Sequence, residues 1–307
     1  MKPIEFPNNA NYYLALAEEA FSEGNQQQAL ENYKQAYQLE PSAKLNRLIA
    51  SLAIEQGDFS GAATYAEEAA DSYLETLETM ELYLQIQLYG QRFFPAREFL
   101  WRAQKVKLLT EEQKNRWEMR IADQEAFYQK QQQAQINQLE TELAMLPLLE
   151  PMEQLVLVRK IRELPANQLR ARAEKLMVDP NVAPLVRSYL FESLARLGFN
   201  EKVRYLTIQA EIIELSPASA GFDDRLLLAI EEALTLRLRD QDPILLSNLL
   251  EQVKVELAFL YPLQSSFMDP EAWTASYLAE YLDIPEPLND KIETIREKIK
   301  QLMFAYH

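Results

Sequence analysis

The first third of the chain repeats one pattern of apolar, small and turn-forming residues at a period of about 33 residues. The first copy contains Tyr13, Leu16, Ala17 and Ala20, a turn at Gly24-Asn25, and then Ala29, Tyr33, Ala36 and Pro41. The second copy contains Ile49, Ala50, Ala53, a turn at Gly57-Asp58-Phe59, and then Ala62, Ala66 and Ala69. The third copy contains Met80, Tyr83, Leu84, Phe93, Ala96, Leu100 and Ala103.

Each copy predicts a helical hairpin. Apolar residues three and four positions apart form a stripe on a first helix, and a glycine or polar turn ends that helix. Small alanines on a second helix allow the two helices to pack closely. Because neither helix can bury its stripe alone, neighbouring hairpins must stack, which leaves a concave face for partners. The sequence therefore predicts a mostly all-α fold, an α-solenoid of helix-turn-helix repeats, with three hairpins over residues 1–109.

This pattern resembles that of tetratricopeptide-repeat (TPR) proteins of the bacterial cytoplasmic type. The sequence departs from the family pattern at Gln91, which stands where the first two copies have a turn glycine, and at Leu74 and Leu108, which replace the closing proline. The resemblance implies a protein that binds a peptide or protein partner on the face of each first helix opposite the second helix.

Carried over by position, the resemblance implies a set of partner-binding residues on the first helices. They are Leu14, Glu18 and Phe21 in copy one, Arg47, Ser51 and Ile54 in copy two, and Glu81, Gln85 and Leu88 in copy three. Ordinary surface or packing between repeats is the alternative for several of them. The Lys and Asn clamp with which some family members hold a peptide carboxylate is missing, and Glu18, Glu78 and Glu81 favour a partner with a basic segment.

A long helix is predicted for residues 110–147, where it closes the repeats and connects them to the rest of the chain. Thr110 and Gln113 form a capping box, and no stop signal follows until Pro147. The first half has an apolar face of Trp117, Ile121 and Phe127. The polar run 129–133 lets the helix cross solvent, bend or break. Apolar spacing then resumes at Ile136, Leu139, Leu143 and Leu146.

Residues 148–307 predict a further helical array, within which residues 181–198 partly resemble a HEAT-type helix. Asp179, Asp242 and Asp269 each precede a proline, as at helix starts. Helices are expected over 223–238, 242–260, 270–282 and 288–304. Between them, residues 202–216 alternate and are rich in β-branched residues, which favours a small β-hairpin, with a helix as the alternative.

Composition and charge narrow the function classes. The chain has no cysteine, its start lacks a signal-peptide pattern, and no apolar stretch approaches the roughly 18 residues of a membrane span. We therefore predict a cytoplasmic protein that does not enter membranes.

The charge is divided unevenly along the chain: residues 1–91 and 205–307 each carry a net charge of −10, and residues 92–204 carry +4. An acidic surface repels phosphate backbones, so nucleic-acid binding is disfavoured there. In the middle, one basic patch could take an anionic partner or pair with the chain's own acids: Arg159, Lys160, Arg162, Arg170 and Arg172.

No catalytic, cofactor or metal constellation is recognisable. The single histidine is His307 at the end of the chain, and cysteine is missing, so the usual nucleophile and base pairs cannot form. We therefore predict a protein without catalytic activity or cofactor: an interaction scaffold whose repeats hold a protein or peptide. The alternatives are a regulatory peptide receptor and a nucleic-acid-associated protein that uses the basic patch. The oligomeric state is left open.

Overall fold

The computed structural model describes residues 9–220, 224–281 and 289–306, and it confirms the mostly all-α fold class with one small β-hairpin. The residue contacts divide the chain into two compact units, with the boundary between Gln132 and Gln133. We call them unit 1 and unit 2. The predicted single helix over 110–147 is two helices, one ending at Gln131 and one beginning at Gln133, with the interruption inside the polar run.

Unit 1 consists of three helical hairpins and a further long helix. Its helices are α1 (Ala10–Ser22), α2 (Gln26–Leu39), α3 (Ala43–Glu55), α4 (Phe59–Glu68), α5 (Leu77–Tyr89), α6 (Phe93–Lys105) and α7 (Glu111–Gln131), with a 3-10 turn at Ala70–Leu74. Each helix packs against the next one along the chain, and the 3-10 turn between α4 and α5 also packs against α5. The repeated alanines are what permits this packing: Ala17, Ala50, Ala62 and Ala96 are fully buried between helices.

The turns of the three hairpins share one backbone geometry. Gly24 and Gly57 have φ of 80° and 78°, and Gln91 takes the same left-handed region with φ of 57°. In each turn the next residue donates its N–H to a carbonyl five positions back, at 2.8–2.9 Å. The sequence departure at Gln91 therefore leaves the turn intact, but it places a residue with a Cβ in a region that glycine occupies at much lower cost.

The start of α7 belongs to the core of unit 1. Trp117 and Ile121 are buried in that core, as the apolar face predicts. The prediction that Phe127 belongs to this apolar face is wrong, because its side chain is 64% exposed. The helical period places Glu125 and Tyr128, and not Phe127, on the buried side of α7. Glu125 pairs with Arg97 at 2.6 Å, and the ring of Tyr128 lies 5.4 Å from that of Phe93.

Unit 2 contains the remaining helices and the hairpin. Its helices are α8 (Gln133–Ala144), α9 (Pro151–Val158), α10 (Ala166–Leu176), α11 (Pro184–Arg196), α12 (Pro217–Ala220), α13 (Arg225–Leu238), α14 (Pro243–Leu260), α15 (Pro270–Tyr281) and α16 (Asp290–Met303). Short 3-10 turns lie at Leu146–Leu148, Arg159–Glu163, Gln264–Phe267 and Phe304–Tyr306. The last four helices match the predicted ones to within two residues at each end. Residues 223, 282 and 288 of those predictions, like residues 1–8 and His307, lie outside the described residues.

Two of the three predicted Asp-Pro helix starts are present. Asp242 caps α14 by accepting from the N–H of Leu245 at 2.9 Å, and Asp269 accepts from that of Ala272 at 3.1 Å in α15. The prediction at Asp179 is wrong, because its carboxylate instead accepts from the N–H of Asn181 within a turn, and the next helix begins at Pro184. A carboxylate before proline favours a turn as well as a cap.

The β-hairpin predicted for 202–216 is confirmed. Strands β1 (Val203–Leu206) and β2 (Ile212–Leu215) pair antiparallel, with Val203 opposite Leu215. The connection is held by Thr207, whose hydroxyl accepts from the N–H groups of Gln209 and Glu211, and by the left-handed φ of 65° at Ala210. This side-chain support replaces the missing turn glycine.

Helices α14, α15 and α16 meet around a buried ion pair. Arg296 is 2% exposed and Glu256 is fully buried, and the guanidinium Nε donates to the carboxylate at 3.0 Å. The Tyr277 hydroxyl donates to the same carboxylate at 2.9 Å, and its ring lies under the guanidinium at 3.8 Å. Burial, followed by the charge of Glu256, raises the pKa of Tyr277 well above its ordinary value. The cluster fixes the packing of three helices through charge-assisted bonds.

Candidate functional site

The residues expected to bind a partner lie on α1, α3 and α5, and we call them the first-helix face. They are Leu14, Glu18, Phe21, Arg47, Ser51, Glu81 and Gln85. Glu18 and Phe21 are exposed, Phe21 by 48%, and the other five are half-buried. Of the two other positions expected to contact a partner, Leu88 is buried in the core, and Ile54, like Leu14, is half-buried and packs against that core. Their apolar side chains serve the packing between hairpins.

Two members of the first-helix face are engaged within unit 1. Arg47 donates to the carbonyl of Ser72 at 2.9 Å and pairs with Glu75 at 3.2 Å. The hydroxyl of Ser51 donates to the carbonyl of Arg47 at 2.9 Å. These contacts tie α3 to the segment that precedes α5, so Arg47 contributes little free positive charge to the face.

The carboxylates of the face are not engaged in this way. Glu18 and Glu81 form neither a hydrogen bond nor an ion pair with the residues that the structure describes. Glu18 lies near the second helix of its hairpin, since its charge, after burial, raises the pKa of Tyr33. The first-helix face therefore presents acidic groups whose interactions with the rest of the unit are weak, beside an exposed aromatic ring.

Exposed aromatic residues also lie at the turn ends of the hairpins. Phe59 is the first residue of α4 and Tyr89 the last of α5, and their rings stack with centroids 5.5 Å apart. They are 38% and 53% exposed, and Phe21 stands in the last turn of α1. Neither Phe59 nor Tyr89 is among the residues predicted to bind a partner. The signal that could have identified them is their position beside the turns, where apolar side chains have no second helix to pack on.

Most of the predicted basic patch is paired inside unit 2. Lys160 pairs with Glu142 at 3.2 Å, and Arg170 pairs with Glu174 at 2.8 Å and Glu201 at 3.3 Å. Arg162 lies 4.3 Å over the ring of Tyr189 and donates to Ser193. Arg172 is half-buried. Pairing of this kind reduces the positive potential that a nucleic acid would meet.

Arg159 differs from the rest of the patch. Its side chain is exposed and forms no hydrogen bond or ion pair with the described residues. It lines an open cavity of about 450 Å³ between α9, α11, α13 and α14 within unit 2. The apolar walls come from Leu155, Val158, Leu185, Leu227, Leu257 and Ala258. No pattern in the sequence predicts this cavity.

Among residues 9–220, 224–281 and 289–306, no group of three or more His, Asp or Glu side chains is arranged to hold a metal ion. Within those ranges, no helix has both the length and the apolar character to cross a membrane.

Comparison with protein-family models gives no match. Comparisons with curated proteins and with solved structures give no significant match either. The function must therefore be inferred from the geometry of this chain.

Proposed function

We propose that the protein is a non-catalytic interaction scaffold and that the first-helix face of unit 1 binds a protein or peptide segment with basic and apolar side chains. The observation that supports this most directly is the two unengaged carboxylates, Glu18 on α1 and Glu81 on α5, with the exposed ring of Phe21 on the same helix as Glu18. Because these carboxylates have no partner among the described residues, the basic side chains of a bound segment could pair with them on the face of the helical repeats. A regulatory peptide receptor would use the same contacts with a shorter partner.

The electrostatics of the unit support a basic partner. Residues 1–91 carry a net charge of −10, so a cationic segment would be attracted from a distance as well as at contact. The aromatic side chains at the turn ends would supply apolar contact area, which acidic groups alone do not provide. Association should therefore weaken with added salt but not vanish.

The test is charge reversal on the face, measured against a partner first recovered by affinity capture and mass spectrometry. The double variant Glu18→Lys, Glu81→Lys should lower the partner's affinity at least tenfold, about 1.4 kcal/mol. The matched control is Glu31→Lys, Glu40→Lys, which makes the same charge change on and just after α2. Circular dichroism verifies that both variants fold.

Equal affinity of the two folded double variants would show that the first-helix face is not the binding surface. A loss of affinity in both would indicate only the net charge of the unit, and would also contradict the proposal. Binding that depends on the basic patch instead, with a nucleic-acid probe and a steep salt dependence, would favour the nucleic-acid alternative.

A further inference from the structure

The cavity of unit 2 is formed by matching stripes on two helices that are far apart in sequence. On α11, Leu185, Ser188, Tyr189 and Glu192 follow the spacing that places side chains on one helical face. On α14 and just beyond it, Lys254, Leu257, Ala258 and Tyr261 follow the same spacing. The two stripes face each other, and Leu155 and Leu227 complete the apolar wall.

The wall of the cavity is held rigidly. The carbonyl of Tyr261 accepts from the Ser188 hydroxyl at 3.0 Å and from the Tyr205 hydroxyl at 2.9 Å. The ring of Tyr261 packs edge-on against Phe191 at 5.9 Å. A volume of about 450 Å³ lies within the range of roughly 300–1,000 Å³ typical of small-ligand pockets, which are largely preformed and mostly apolar.

Some of the charged side chains around the cavity form ion pairs and one does not. Glu192 pairs with Arg196 at 2.7 Å and Arg162 at 3.9 Å, and Lys254 pairs with Glu251 at 3.0 Å. Arg159 has no such partner among the described residues. An arginine at an apolar rim is well suited to a carboxylate, because its guanidinium can donate two parallel hydrogen bonds.

We infer that this cavity binds a small amphiphilic carboxylate, with its aliphatic chain against the leucines and its carboxylate on Arg159. The apolar wall accounts for the chain, and the unpaired cation accounts for the sign of the head group. Asp224, at the N-terminal end of α13, also lines the cavity and is the charge that would oppose an anion. The inference concerns unit 2 and does not depend on the function proposed for unit 1.

Isothermal titration calorimetry with three probes of equal chain length tests the head-group assignment. The probes are decanoate, decanol and decyltrimethylammonium, the two ions used below their micelle concentrations and decanol below its solubility limit, with the full-length protein. Decanoate should bind with measurable heat, and decanol should bind at least tenfold more weakly. Equal binding of decanol and decanoate would overturn the role of Arg159, and preferential binding of the ammonium probe would overturn the inference as a whole.

Variants locate the site. Arg159→Gln should weaken decanoate binding at least tenfold, whereas the control Lys160→Gln, next to it and paired with Glu142, should change it less than twofold. Ala258→Trp fills the cavity from an exposed helical position and should abolish binding, and Leu227→Phe, a smaller change, should weaken it. Asp224→Asn should leave binding equal or tighter. Decanoate binding that survives both cavity-filling variants in folded protein would place the ligand elsewhere and refute the site.

Discussion

Replacing Arg296 by methionine should destabilise the protein by about 3 kcal/mol, because it leaves the carboxylate of Glu256 buried without its cation. Removal of one partner from a buried ion pair typically costs about 3–5 kcal/mol. The lower end applies here, since Glu256 would keep two donors, the Tyr277 hydroxyl at 2.9 Å and the Gln252 amide at 2.7 Å. Those bonds offset part of the cost of the isolated charge.

The double variant Arg296→Met, Glu256→Met should be less destabilised than the single variant. Apolar replacement of both members of a buried pair is often close to neutral. The hydroxyl of Tyr277 would then lack its acceptor, which costs about 1–3 kcal/mol. We therefore expect a loss of about 1–2 kcal/mol for the double variant. Lys300→Met is the exposed control: its pair with Glu280 has both side chains one-third exposed, and its loss should cost less than about 1 kcal/mol.

Urea unfolding measures these free energies, and the fluorescence of Trp273, which is fully buried on α15, reports on the same cluster in a background where Trp101 and Trp117 are replaced by phenylalanine. The single variants Arg296→Met and Glu256→Met, together with the double variant, complete a thermodynamic cycle that isolates the coupling between Arg296 and Glu256. The reasoning is refuted if Arg296→Met costs no more than Lys300→Met. It is also refuted if the double variant loses the sum of the two single losses.

Two further predictions concern unit 1. Gln91→Gly should stabilise the protein by about 1 kcal/mol, because the φ of 57° at this residue is unfavourable for a side chain with a Cβ. Gly57→Gln should destabilise it by a similar amount. A Cβ at Gly57 would meet no atom within 4 Å, so the cost comes from the backbone conformation alone. Thermal unfolding of both variants decides it, and a destabilising Gln91→Gly would contradict the turn argument. Burial raises the pKa of Glu67 despite the opposing charge of Arg92, so the folded state holds this proton more tightly than the unfolded chain. The wild-type protein should therefore lose stability relative to Glu67→Gln as the pH rises from about 4 to 7. Urea unfolding of both proteins at the two pH values measures this. A difference in free energy of unfolding that stays constant with pH would contradict the raised pKa.

The hairpins of unit 1 could be predicted from sequence because each depends on neighbours close along the chain. Ala17 and Ala50 are small where the helices approach, and the turns follow at a fixed distance. Phe127 shows the limit of that reasoning. Whether a stripe continues through residue 127 or 128 depends on which helix covers it, and here Phe93 of α6 contacts Tyr128. Residue spacing gives the period of a helix, but the packed neighbour fixes its phase.

The ion pair in unit 2 was beyond the same reasoning for a different cause. Glu256 and Arg296 are forty positions apart and lie on separate helices. In sequence each resembles the many acidic and basic residues that cover exposed helix faces. Only the meeting of three helices removes both from water, so neither composition nor local pattern distinguishes them from surface charge.

The cavity also depends on how helices distant in sequence pack, but here the packing leaves a space open to a ligand, whereas at the ion pair it buries two charges. The stripes on α11 and α14 have the spacing of core-facing residues, and a sequence with leucine and tyrosine at such positions predicts a filled interface. In the structure the stripes leave a gap, which Leu227 of α13 and Leu257 of α14 help to line. Just beyond α14, the carbonyl of Tyr261 accepts from the Ser188 and Tyr205 hydroxyls, and its ring packs on Phe191. If Arg159 only covered this gap as surface charge, its removal would leave decanoate binding unchanged, whereas a carboxylate site requires it.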